Sequence, residues 1–116
     1  GDGQQTRSFT WVGDITEAFL LAGLTDVAID DGSKLAGAVW NVGWPEETSI
    51  AELAELVAET SGVEVLIEPS KGYFGDSQRR CPDISLATRQ LGWQPWTTLE
   101  AGLRSTWFVI NNRING

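Results

Sequence analysis

Gln78-Arg79-Arg80-Cys81-Pro82-Asp83-Ile84-Ser85, running through Leu86 to Leu91-Gly92-Trp93-Gln94-Pro95, is the stretch whose reading decides the rest of the chain. Pro82 ends whatever precedes it. Asp83 is a cap-forming residue, Ile84, Ala87 and Leu91 recur at helical spacing, and Gly92 closes the turn. The stretch therefore reads as the end of a long loop carrying two guanidiniums, followed by a short helix. In a chain of net charge -8, two adjacent arginines do not make a surface for a long polyanion, which the remaining charge would repel. They do suit one small, doubly charged group such as a diphosphate, because the planar guanidinium fork matches phosphate oxygens. The plainer reading of the same residues is a pair of surface charges bonded to nearby carboxylates.

Outward from there, the chain has 116 residues, enough for one domain, 1–116, with its own core. No apolar run reaches membrane-spanning length, and no basic segment precedes an apolar one in the manner of a signal peptide. The single cysteine, Cys81, excludes an internal disulfide, and with no signal peptide a cytoplasmic location is expected. The absence of histidine removes the commonest general base and metal ligand. Residue 1 is not methionine, so a fragment, a processed product or an engineered piece is expected. Six tryptophans are many for this size; some belong in a core, and any uncovered cluster marks an interface.

Gly1 to Thr6 reads as a loop entering the fold, and Arg7 to Val12 as a short strand with Phe9 and Trp11 on one side. Asp14-Ile15-Thr16-Glu17 has the form of a capping box, and Ile15, Ala18, Phe19 and Ala22 then share a helical face that ends at Gly23. Leu24 to Gly37 reads as an acidic loop with a turn at Asp31-Gly32. Ala38 to Val42 reads as an apolar strand. Ser49-Ile50-Ala51-Glu52 opens a second helix with Ile50, Leu53, Ala54, Leu56 and Val57 as its apolar stripe, and Gly62 ends it. Val63, Val65 and Ile67 alternate with Glu64, Leu66 and Glu68, the pattern of another strand. Pro69 to Pro82 is a loop of functional length. Thr97 with Glu100 opens the last helix, whose apolar face is Leu99, Leu103, Trp107 and Ile110. The order predicts an α/β, α+β-like domain: a small mixed sheet with helices packed on it.

The chemistry visible in these residues is binding chemistry. No glycine-rich loop follows a strand and opens a helix. No Cys/His cluster exists, and no Ser/His/Asp triad is possible. Glu46/Glu47 and Asp30/Asp31 read as solvated charges. The only tyrosine, Tyr73, has no lysine four residues on. What remains is a set of polar and aromatic groups: Arg7 from an extended segment, Arg79 and Arg80 from the long loop, and Gln5, Tyr73 and Trp44 as groups able to bond to or stack on a base or sugar. Each has a plain alternative: Arg7 as a strand-edge charge, Tyr73 with Phe74 as a plug for its own loop, Trp44 as a cover for its turn.

Three blocks carry a resemblance. Gly1-Asp2-Gly3-Gln4-Gln5-Thr6-Arg7-Ser8-Phe9-Thr10-Trp11-Val12 resembles the segment after the Rossmann domain of extended short-chain dehydrogenase/reductases acting on nucleotide sugars. Asn41-Val42-Gly43 with Pro45-Glu46-Glu47 resembles that family's turn before a helix. Arg80-Cys81-Pro82-Asp83-Ile84-Ser85, with Leu91-Gly92-Trp93-Gln94-Pro95 and Leu99-Glu100-Ala101-Gly102-Leu103, is similar to its C-terminal signature. The resemblance implies the C-terminal, substrate-binding lobe of an NAD-dependent epimerase, dehydratase or decarboxylase. It implies that Arg7 and Arg80 contact the diphosphate of an NDP-sugar, that Gln5 lies near the nucleotide, and that Tyr73 or Phe74 helps hold nucleotide or sugar. Arg79 enters as a neighbour rather than a motif match. The family's glycine motif, its Tyr-x-x-x-Lys and its Ser/Thr partner lie upstream of the matched segment. The segment is thus expected to hold no NAD and to perform no catalysis alone, and its partners are an NDP-sugar and the missing Rossmann domain. The alternative is a structural module that self-associates through the face that domain would cover. Neither nucleic acid nor membrane is an expected partner. Trp11, Gly13 and Trp44 depart from the family's usual residues at their positions.

Overall fold

The computed structural model describes residues 1–24 and 37–115. Their elements run β1 (Thr6–Arg7), α1 (Val12–Leu24), β2 (Thr48–Ser49), α2 (Ile50–Ser61), β3 (Arg79–Arg80), α3 (Ser85–Leu91) and α4 (Leu99–Asn115). The sheet is three-stranded and mixed, in the order β2-β1-β3. β1 pairs antiparallel with β2, Thr6 opposite Ser49, and parallel with β3, Thr6 opposite Arg79 and Arg7 opposite Arg80. This is the expected α/β class, with strands far shorter than the sequence pattern predicts. The predicted turn at Asp31-Gly32 lies outside the described residues.

The second helix forms as its sequence dictates. Ser49 Oγ accepts from the Glu52 amide at 3.1 Å, and the Glu52 carboxylate accepts from the Ser49 amide at 2.8 Å. Those bonds to Ser49 hold the Glu52 carboxyl below its ordinary value of 4.5. At the other end Gly62 takes φ 66°, the left-handed geometry that returns its N–H to the Ala58 carbonyl. The entering segment completes the N-terminus: the Gln5 and Gly3 carbonyls accept from the Ile50 and Ala51 amides, both at 3.0 Å.

Several expectations are corrected. The segment expected as a strand from Arg7 to Val12 is a strand only at Thr6–Arg7, and helix α1 already begins at Val12. Asp14 therefore lies inside α1 and does not cap it. It is buried, and its carboxylate accepts from the Trp96 and Thr97 amides at 3.1 and 2.9 Å and from Thr97 Oγ1 at 2.9 Å. Thr97 is occupied by Asp14, so Thr98 heads α4: its hydroxyl accepts from Ala101 and its carbonyl from Gly102. α1 runs one residue past Gly23, and its inner face is Asp14, Ile15, Ala18, Leu21 and Ala22. Phe19 points outward, 74% exposed. In α2 and α4 the apolar stripes face each other but are only partly covered; Val57 and Ile110 stay exposed.

The two remaining predicted strands have no ladder among the described residues. From Ala38 to Val42 the period-two alternation survives: Ala38, Trp40 and Val42 are partly covered, whereas Val39 and Asn41 are exposed. No described strand lies beside them to accept backbone hydrogen bonds. Val63 to Glu68 is likewise exposed and unpaired. Alternation reports which side a residue faces, whereas a ladder needs a neighbour.

The core lies where α1, α3 and the Trp93 turn meet. Ala18, Ala87, Leu91 and Trp93 are buried, with Leu21, Ala22, Trp40, Val42 and Ile84 packed around them. Trp93 is the one large side chain fully enclosed among the described residues, and its indole N–H donates to the Asp14 carbonyl at 2.9 Å. Burying a tryptophan removes roughly 200 Å² from water, worth at most about 5 kcal/mol. Gly102 is buried in α4 because Trp11 crosses it; a methyl group there would stand 3.2 Å from the indole ring.

Candidate functional site

The three sequence blocks converge on Gly43. A Cβ built on it would lie 2.7 Å from Pro82 Cγ, 3.4 Å from Thr10 Oγ1 and 3.6 Å from Ser8 Oγ. Only glycine lets the turn after Val42 approach both the Arg7 segment and the Arg80–Pro82 segment so closely. Polar bonds hold the meeting point. Thr10 Oγ1 accepts from the Trp44 amide at 2.8 Å, Ser8 Oγ donates to the Trp44 carbonyl, and the Cys81 thiol donates to the Pro45 carbonyl at 3.3 Å. Trp44, read as a possible stacking group, takes part here through its backbone.

Beside Gly43 opens a pocket of about 530 Å³ lined by Arg7, Ser8, Thr10, Val42, Gly43, Arg80, Cys81 and Pro82. Strand register explains its charge. Arg7 stands opposite Arg80 in a parallel pair, so both side chains leave the same face about 4.8 Å apart. Thr6 stands opposite Arg79 on the other face, and both reach Glu47: Thr6 Oγ1 donates to Oε1 and Arg79 Nε to Oε2, each at 2.6 Å. The Thr6 hydrogen bond first, then the Arg79 bond and charge, hold the Glu47 carboxyl below its ordinary 4.5; the same carboxylate raises the Arg79 guanidinium. Glu47, read from sequence as a solvated charge, is thus a two-handed acceptor with its side chain 17% exposed.

Arg7 donates to its neighbour's carbonyl at 2.7 Å and to Asp76 Oδ1 at 2.8 Å. Among the described residues the Arg80 guanidinium has neither a hydrogen-bond nor an ion-pair partner. Two like charges side by side on adjacent strands repel, and among the described residues one of them has no counter-charge.

The structure brings Arg7 and Arg80 together and separates the other predicted residues from them. Arg79 lies on the Glu47 face. Gln5 lines a different hollow with Gly1, Asp2, Ile50, Ala54 and Ile67. Tyr73 is exposed at the start of the turn whose Asp76 amide donates to its carbonyl, and that turn delivers Asp76 to Arg7. Ser8, Thr10 and Gly43 line the pocket, Asp76 pairs with its Arg7, and none was singled out as a site residue from sequence; short polar residues scattered along the chain carry no signal until the fold brings them together.

Fold and pocket define an α/β segment with two guanidiniums at one pocket wall. Residues 1–106 match the family model of GDP-mannose 4,6 dehydratase. UDP-glucuronic acid decarboxylase 1 of Arabidopsis thaliana is 37% identical over 98% of this chain and 24% of its own length. The decarboxylase of the same name from Danio rerio is 40% identical over 91% of this chain and 23% of its own. Among solved structures, UDP-glucose 4-epimerase of Thermotoga maritima with UDP-glucose superposes with TM-score 0.84, 28% identity, 99% of this chain and 34% of that one. UDP-glucuronic acid 4-epimerase of Bacillus cereus, in complex with UDP-glucuronic acid and NAD, gives TM-score 0.84 and 28% identity over 97% and 34%. The chain belongs to the GDP-mannose 4,6 dehydratase family, within the extended short-chain dehydrogenase/reductases of the NAD-dependent epimerase/dehydratase type. It spans about a quarter of the length of the curated relatives it matches.

Proposed function

We propose that this chain is the C-terminal, nucleotide-sugar-binding lobe, a single domain over 1–116, of an NAD-dependent sugar-nucleotide enzyme, and that it anchors the diphosphate of a UDP-sugar between Arg7 and Arg80. The observation that carries the reading is the in-register pairing of these two arginines on one sheet face, with Arg80 uncommitted. Ser8 and Thr10 supply hydroxyls at the pocket wall. The base and sugar extend beyond the diphosphate, with Gln5 and Tyr73 as candidate contacts on the nucleotide side. The relatives' names point to uridine as the base and to glucuronic acid as a sugar to test first. Binding energy from the unreacting diphosphate holds the sugar for chemistry elsewhere in the enzyme.

NAD supplies transient oxidation of the sugar in such enzymes. The described residues do not fit that cofactor: neither the opening of α1 at Val12-Gly13-Asp14 nor that of α2 at Ser49-Ile50 carries a glycine-rich turn. In this reading NAD is held by residues other than the described ones, and the chain by itself is expected to bind without turnover. A cytoplasmic location is part of the same proposal. Separately, no described helix is long and apolar enough to cross a membrane.

Calorimetric titration of the chain with UDP, dTDP and GDP tests the proposal, with Arg80→Ala as control. Micromolar UDP binding, weakened about tenfold or more in the variant, is the expected result. UDP affinity of Arg80→Ala within about twofold of the wild type, or no binding of any nucleotide, overturns it.

A second reading has its own observation. Phe19, Leu20 and Leu24 on α1 are 74%, 57% and 81% exposed, and the Cα radius of gyration is 17.6 Å against about 13 Å for a compact chain of this length. In that reading the face self-associates and no nucleotide binds. Sedimentation showing a stable oligomer together with silent calorimetry would favour it.

A further inference from the structure

We infer, resting on the diphosphate reading above, that Glu47 is the positioning residue that decides which of the two adjacent arginines, Arg79 or Arg80, faces the diphosphate. β1 and β3 meet over two residues each, a ladder too short to set its own register. A slip of one residue turns every side chain to the opposite face. Because residues 79 and 80 are both arginine, β3 offers a guanidinium to the pocket in either register, and its own sequence does not choose between them.

Glu47 chooses. Its two carboxylate oxygens take Thr6 Oγ1 and Arg79 Nε separately, each at 2.6 Å. One carboxylate therefore ties the first residue of β1 to the first residue of β3 on the face away from the pocket. With Thr6 and Arg79 joined, Arg7 and Arg80 are register partners on the other face. The carboxylate is itself fixed, since Trp44 and Pro45, just before it, are bonded to Ser8, Thr10 and Cys81. The charge on that face works the same way. Glu52, Glu55 and Glu59 of α2 line the hollow that Glu47 shares, so this side attracts a guanidinium and repels a phosphate. One further bond between the strands follows the same register: the Thr6 amide donates to the Gln78 carbonyl at 2.9 Å. Arg79 is consumed so that Arg80 is available.

The test uses the full chain and two readouts. Labelling with phenylglyoxal, followed by mass spectrometry, measures the modification rates of Arg79 and Arg80 separately; UDP titration measures affinity. In the wild type Arg80 is expected to label faster than Arg79 and to be protected by UDP. Glu47→Ala is expected to make the two rates similar and to weaken UDP binding about tenfold. Arg79→Ala, which removes the same contact from the other side, is expected to weaken it comparably, and the double variant no further than either single. UDP affinity of Glu47→Ala and Arg79→Ala within twofold of wild type overturns the inference, as do additive losses in the double variant. If UDP protects neither arginine in the wild type, the diphosphate reading fails, and the labelling ratio in Glu47→Ala alone decides whether Glu47 sets the register.

Discussion

Around Trp93 the chain closes over apolar surface and one buried carboxylate; around Arg7 and Arg80 it is held by side-chain hydrogen bonds and two ion pairs, with its cations facing outward. The first region joins α1, α3 and the start of α4 through Ala18, Leu91, Trp93 and Asp14. The second joins three two-residue strands through Thr6, Glu47, Ser8, Thr10 and Asp76. The contrast teaches where stability and binding reside. A hydrophobic centre tolerates no vacancy but offers a small ligand nothing. A polar centre stabilises weakly, because exposed pairs contribute little, yet it can present unneutralised charge. Val42, packed against the core and lining the pocket, and Gly43 after it, against Pro82, are where the two meet.

Substitutions that separate the regions test this contrast, and the largest effect is expected in the first. Trp93→Ala should lower unfolding free energy by about 3–5 kcal/mol, read by urea denaturation, because the cavity cannot collapse and the Asp14 carbonyl loses its donor. Asp14→Ala should cost about 2–4 kcal/mol, since it leaves the Trp96 and Thr97 amides and the Thr97 hydroxyl without their acceptor. Loss of UDP affinity in either variant at a temperature where it remains folded would break the separation.

The second region should show the reverse. Arg80→Ala is expected to weaken UDP binding about 10- to 100-fold, the worth of a charge-assisted contact, while the thermal midpoint stays level or rises as the repulsion with Arg7 is relieved. Gly43→Ala should affect both measurements. The new methyl displaces Pro82, destabilising by about 1–3 kcal/mol and distorting the pocket.

The smallest expected effect is electrostatic. Glu47, Glu52 and Asp83 all have carboxyls held below their ordinary values, Glu47 first by Thr6, Glu52 by Ser49 and Asp83 by the Ser85 amide. Such groups bind fewer protons folded than unfolded. Their contribution is complete above the ordinary values of 4.5 for the glutamates and 3.8 for the aspartate. It is lost as pH falls through the depressed folded values. The thermal midpoint should therefore drop on acidification below about pH 4.5, and Glu47→Gln should make that drop shallower. A midpoint independent of pH in that range would show that these bonds do not distinguish the folded state.

Local signals were legible wherever the physics is local. Ser49-Ile50-Ala51-Glu52, Gly62 and Gly92 act as a capping box and two left-handed helix ends, because each needs only residues within one turn. The blocks from Gly1, Asn41 and Arg80 pointed to the family, and guanidinium chemistry alone pointed to a small dianion. Asp14 misled because a capping box has the same spelling as a buried acceptor; the difference is a partner 83 positions away. Asp83 caps one step further out than expected, accepting from Ser85 at 2.9 Å.

By itself, then, the sequence determined the existence of the helices, the two ends of α2 and the Gly92 stop of α3, the family and the presence of adjacent arginines, since these depend on spacing and residue type. Only the tertiary structure decided that Arg7 and Arg80 face one pocket while Arg79 turns to Glu47. It also decided that residues 38–42 keep their alternating exposure without a described ladder. Register and pairing are relations between distant strands, and a two-residue ladder carries no pattern of its own from which to read them.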